Sequence, residues 1–167
     1  MTRLAARFLF PIAAALVLAV LVIFAPFDAR AEEVTFPTSD LWIETESGRH
    51  HFTVEVAVSR AQMKRGLMFR TDLANDAGMM FDYETPREVA MWMKNTLVPL
   101  DMLFVDSRGL VQRVVEWTNP QSLDPIPSHG LVRSVIELRG GIAARLGIGR
   151  GSRIEHEIFP PAKRETE

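Results

Sequence analysis

From Phe52 to Val58 the chain reads FTVEVAV, with Phe52, Val54, Val56 and Val58 alternating against Thr53, Glu55 and Ala57. Such a period of two places successive side chains on opposite faces of an extended strand and excludes an amphipathic helix. Further short segments of strand character recur along the chain: LWIETE (41–46), MMFDY (79–83), VAMWMK (89–94), DMLFVD (101–106), LVQRVVEW (110–117), LVRSVIEL (131–138) and RIEHEI (153–158). Ser47-Gly48 and Ser107-Arg108-Gly109 supply hairpin turns between neighbouring segments. Many short strands at turn-punctuated spacing predict a mostly β, single compact antiparallel β-sandwich or small barrel.

One or two short helices interrupt the strands. Ser59 followed by Gln62 is a capping box, and Gly66 stands where a helix would stop, so RAQMKR (60–65) is expected to be helical. GIAARLGIG (141–149) offers a second short helix. The stretch TNPQSLDPIPSHG (118–130) has three prolines and no periodicity, which predicts a long surface loop.

The first residues carry a separate message. Arg3 and Arg7 precede the uncharged run Phe8–Ala25, and Ala29 and Ala31 form an A-x-A site. This pattern predicts a signal helix within residues 1–31, cut after Ala31, and a periplasmic or secreted protein. The competing expectation is an inner-membrane anchor formed by residues 8–25, the chain's sole contact with a membrane if it stays uncleaved. Residues 32–40 are expected to be a tether, 41–159 the domain and 160–167 a solvated tail. Cleavage would remove three of 19 basic residues and one of 21 acidic ones, leaving 16 against 20 and a net charge of −4. No basic stripe for nucleic acid remains. With no cysteine, disulfides, thiolate metal sites and cysteine nucleophiles are excluded.

The densest chemistry lies in MWMKNTLVPLD (91–101). A strand through 89–94 would turn Val89, Met91 and Met93 to the core and Trp92 and Lys94 to the other face. Asn95 and Thr96 supply turn chemistry, and Asp101 opens the next strand. Trp92, Lys94, Asn95, Thr96 and Asp101 therefore form a candidate ligand-binding cluster, which Arg65, Arg70 and Glu137 would join if the helix and late strand pack nearby. An aromatic wall with a few polar groups suits a polar small molecule. The same residues also fit a plain structural turn, with Asp101 accepting backbone N–H bonds and pairing with Lys94.

RGLMFR (65–70), AGMMF (77–81), MWMKNTLVPLDMLFVD (91–106) and VIELRGG (135–141), in that order and spacing, resemble the domain-of-unknown-function family 192. The resemblance spans residues 52 to 158. It implies a compact, mostly antiparallel β-fold, often exported, with no established activity. Met91 stands where that family commonly has an aromatic, and Ser152 where a Gly-Asp pair usually closes.

The leading expectation is a non-catalytic module that binds a polar small molecule or an envelope partner, with no cofactor and no metal. An envelope hydrolase using Asp101 or Glu137 as base is the alternative from another class. The adjacent Ser128-His129, and carboxylates such as Asp76, Asp82 and Glu84, give no recognisable catalytic spacing. A third reading is periplasmic Cu(I) binding through Met79, Met80, Met91 and Met93, set against their use as core filler.

Overall fold

The structure, a computed structural model, describes residues 34–161. The expected signal segment and the last residues of the tail lie outside them. The elements are β1 (Thr38–Thr45), β2 (Gly48–Ala57), α1 (Arg60–Arg65), β3 (Ala77–Arg87), β4 (Ala90–Met91), β5 (Leu100–Val105), β6 (Val111–Val115), β7 (Ile126–Pro127), β8 (Val132–Arg139), α2 (Ile142–Leu146) and β9 (Arg153–Glu155). Strand β1 starts at Thr38, inside the segment expected to be a tether. No helix of the described residues is long and apolar enough to cross a membrane.

Seven strands form one mixed sheet in the order β6-β5-β8-β3-β2-β1-β9, and β4 pairs with β7 in a separate small ribbon. The ribbon shortens the strand expected over 89–94 and gives the 118–130 loop a fixed point. The mostly β architecture with two short helices is as expected, and the form is nearer the expected small barrel than the sandwich, but the strands are not all antiparallel. A single sheet curls on itself, and β2 and β3 pair in parallel. A parallel pair needs a crossover connection, and residues 58–76, which carry α1, provide it. The curl brings the sheet's two edges together at an antiparallel bridge between Leu110 and Arg153. There Ile154 N donates to Gly109 O at 2.7 Å and Val111 N to Ser152 O at 2.9 Å. Gly109, at φ 78°, must be glycine, because a Cβ would lie 2.7 Å from the Ile154 carbonyl.

The curled sheet is apolar on both faces. Its concave side encloses Leu41, Ile43, Phe52, Val54, Met80, Leu103, Val105, Ile136 and Leu138, closed by Ile142 and Ala143 of α2. Its outer side carries Met79, Phe81, Tyr83, Met102, Phe104 and Val135, covered by Leu67, Leu73 and Met93. Every residue of β5 is therefore buried. Strands enclosed on both faces read as continuous apolar runs, which is why DMLFVD and VIEL lack the alternation of FTVEVAV.

Helix α1 forms where the capping box predicts. Gln62 N donates to Ser59 Oγ at 3.2 Å, and Ser59 N returns a bond to Gln62 Oε1 at 2.9 Å. Gly66 ends the helix. The turn beyond it lays residues 66–70 on the outer face of the sheet.

Candidate functional site

Glu137 sits in the middle of β8, opposite Met79 on β3 and Met102 on β5. Period two sends Ile136 and Leu138 into the concave core and Val135 and Glu137 to the outer face. There the carboxyl lies under α1 and the 91–96 segment, with only 4 % of the residue exposed. Among the described residues it enters no ion pair. Burial alone pushes its carboxyl up to about 8, so at neutral pH it is held mainly as the neutral acid.

A small pocket of about 30 Å³ opens above it, lined by Arg65, Trp92, Lys94, Thr96 and Glu137 together with Lys64, Gly66, Met63, Met68 and Met91. That volume holds roughly two water-sized atoms. Trp92 is 48 % exposed and forms one side of the mouth. Lys94 Nζ lies 5.2 Å from the Trp92 ring centroid, and the Arg65 guanidinium lies 4.9 Å from that of Phe69. Lys64, Arg65 and Lys94 make no ion pair among the described residues, and Glu137 is the sole acid lining the pocket. The walls are pinned to each other, because Phe69 N donates to Asn95 O at 2.7 Å.

The sequence-derived cluster therefore divides. Trp92, Lys94, Thr96, Arg65 and Glu137 line one pocket. Asn95 stands behind the wall, in a left-handed turn at φ 56°, with its amide nitrogen 3.9 Å from Met68 Sδ. Arg70 is drawn away by an ion pair with Glu55. Asp101 lies on the opposite face of the sheet, fully buried. Its Oδ1 accepts from Trp117 N at 2.9 Å and its Oδ2 from Ala143 N at 2.8 Å. The expected Lys94–Asp101 pair does not form. Asp101 instead caps α2, whose own N-cap residue, Gly141, has no side chain to do so.

Lys64, Met63 and Met68 line the pocket without belonging to any cluster that the sequence singles out. The one available signal was the Lys64-Arg65 pair closing a capped helix just before the Gly66 turn.

The remaining constellations make packing and hydrogen-bond contacts, with Met91 also lining the pocket. Met79 and Met80 point to opposite faces. Met91 Sδ accepts from the Tyr83 hydroxyl at 3.3 Å and Met93 Sδ from Thr118 at 3.1 Å. Asp82 pairs with Arg133, and Ser128 Oγ donates to Gly130 O at 2.7 Å. No group of three or more His, Cys, Asp or Glu arranged to hold a metal occurs among the described residues.

Fold and pocket together define a small curled-sheet β-domain with one buried acid beneath a cation-rimmed mouth. The chain belongs to the DUF192 family, described as "Uncharacterized ACR, COG1430", whose model matches residues 42–156. It is similar to a solved protein from Sinorhizobium meliloti 1021 described as a candidate transcription regulator, at 42 % identity and TM-score 0.73, over 76 % of this chain and 99 % of that one. It also resembles a protein of unknown function from Novosphingobium aromaticivorans DSM 12444, at 38 % identity and TM-score 0.70, over 71 % and 85 % of the two chains. No curated protein matches it.

Proposed function

We propose that this protein is a non-catalytic binding module of the cell envelope, exported by its N-terminal segment, which takes a polar small molecule or the polar end of a partner into the Glu137 pocket. The supporting observation is Glu137 itself, an acid without an ion pair at the floor of an open pocket. Among the described residues its carboxyl has no side-chain partner where it faces the pocket, so a ligand can supply one. Trp92 provides a flat apolar wall for the remainder of the ligand.

A second reading has a specific observation in its favour. A carboxyl raised to about 8 is poised to act as a general acid near neutral pH. It would act alone, because Asp101 is on the other face and no second carboxylate lines the pocket, which removes the two-acid glycosidase geometry. Regulation of transcription, named for the Sinorhizobium relative, finds less support. The two helices of the described residues have 6 and 5 residues, too short to serve as recognition helices.

A thermal-shift screen against sugars, peptides, carboxylates and metal ions tests the binding reading. A ligand at about a hundredfold over its Kd should raise the melting temperature by roughly 5–10 °C. The same ligand should do much less for Trp92→Ala, whose own melting temperature stays near wild type because the ring is half exposed. Equal stabilisation of both proteins would place the ligand elsewhere.

A further inference from the structure

We propose that the pocket recognises a carboxylate, with one ligand oxygen accepting the Glu137 O–H and the other facing the cations of Arg65 and Lys94. This rests on the reading of the pocket as a binding site and names what it binds.

Three features converge on that chemistry. The lining carries Lys64, Arg65 and Lys94 against a single acid, so an anionic ligand is favoured over a cationic one. The floor presents an O–H that needs an acceptor, since a protonated carboxyl donates one hydrogen bond. The volume of about 30 Å³ admits about two oxygen-sized atoms. A planar carboxylate head can enter a space of that size edge-on. The exposed ring of Trp92 lines the mouth and would meet whatever the carboxylate is attached to.

The charged and titratable groups around Glu137 leave its proton in control. Helix α1 contributes Lys64 and Arg65, and the segment after β4 contributes Lys94. On β3 lies Tyr83, whose hydroxyl is held protonated mainly by its burial, with the Glu137 charge adding to it. Along the same sheet face, Glu55 on β2 is paired with Arg70. Arg139, the next outward residue of β8, donates to Leu73 O at 3.2 Å and sits 3.6 Å from Asp72. Binding should therefore be lost as Glu137 ionises.

The test follows the Trp92 indole N–H signal by NMR in the full chain, titrated with acetate, benzoate and one tetrapeptide bearing a free or an amidated C-terminus. Free carboxylates are expected to shift the signal and the amidated peptide is not. A free-acid peptide at least tenfold tighter than acetate would identify a chain end as the natural source, and equal affinities a small carboxylate. Wild-type affinity should be level from pH 6 to 7.5 and fall by up to about tenfold per pH unit above 8. Glu137→Gln, which retains an N–H donor, should bind with no pH dependence, and Glu137→Leu should lose at least tenfold. Equal binding of the amide and the acid, unchanged affinity in Glu137→Leu, or a flat wild-type profile from pH 6 to 9.5 would each overturn the proposal. If neutral sugars or amides shift Trp92 while carboxylates do not, the pocket stands and its assignment to carboxylates falls. If nothing shifts it, both fall.

Discussion

Replacing Asp101 with alanine should destabilise the protein by about 3–5 kcal/mol, because one buried and one half-buried N–H donor lose their carboxylate acceptors together. The donors are the amides of Trp117 and Ala143, at 2.9 and 2.8 Å from the two carboxylate oxygens. Asp101 and Ala143 are both fully buried, so no water takes the carboxylate's place at the Ala143 N–H. A fall in melting temperature of roughly 10–20 °C is expected for a domain of this size. Asp101→Asn retains one acceptor oxygen and should lose about half as much. Carboxylate binding at Glu137 should persist in whatever fraction of either variant stays folded, since the two acids lie on opposite faces of the sheet. Thermal denaturation followed by circular dichroism measures the first effect. A melting temperature within 3 °C of wild type would show that Asp101 does not hold α2 in place.

The second large effect concerns pH. Glu137 titrates near 8 when folded, against an ordinary value of 4.5. Between those values the native protein holds a proton that the unfolded chain has released, so stability must fall as pH rises. The slope is about 1.4 kcal/mol per pH unit for one proton, and it vanishes below the lower value and above the upper. Glu137→Gln removes this term. Its advantage over wild type should be small at pH 4.5 and grow steadily to pH 8. His156, lowered by its burial, contributes a slope of the opposite sign below pH 6.5. That contribution is common to both proteins and cancels in the comparison. Urea denaturation of the pair at several pH values checks the prediction, and parallel stability curves would refute it.

Local signals in the sequence were sound wherever one face of an element meets water. The β1–β2 hairpin, the turn at Gly109 and helix α1 with its capping box form where their residues place them. What failed was long-range. In the sequence the helix at 60–65 resembles an interruption between antiparallel strands. It belongs to the crossover that makes β2 and β3 parallel. Asp101 misled for a related reason. Proximity in the chain set it beside Lys94, yet β5 is buried on both sides, and an unbroken apolar run does not reveal which way one polar residue turns. Glu137 was visible as an acid inside VIEL, but nothing local showed that α1 would roof it. Trp92 and Lys94 line the pocket from the turn that follows β4, past the end of the shortened strand.

The most direct measurement is a carbon-13 titration of the Glu137 side-chain carboxyl by NMR, free and saturated with acetate. The binding account predicts a midpoint near 8 in the free protein, moving higher with acetate because the bound carboxylate holds the proton in place. A midpoint near 4.5, or one that acetate leaves unmoved at saturation, would contradict it.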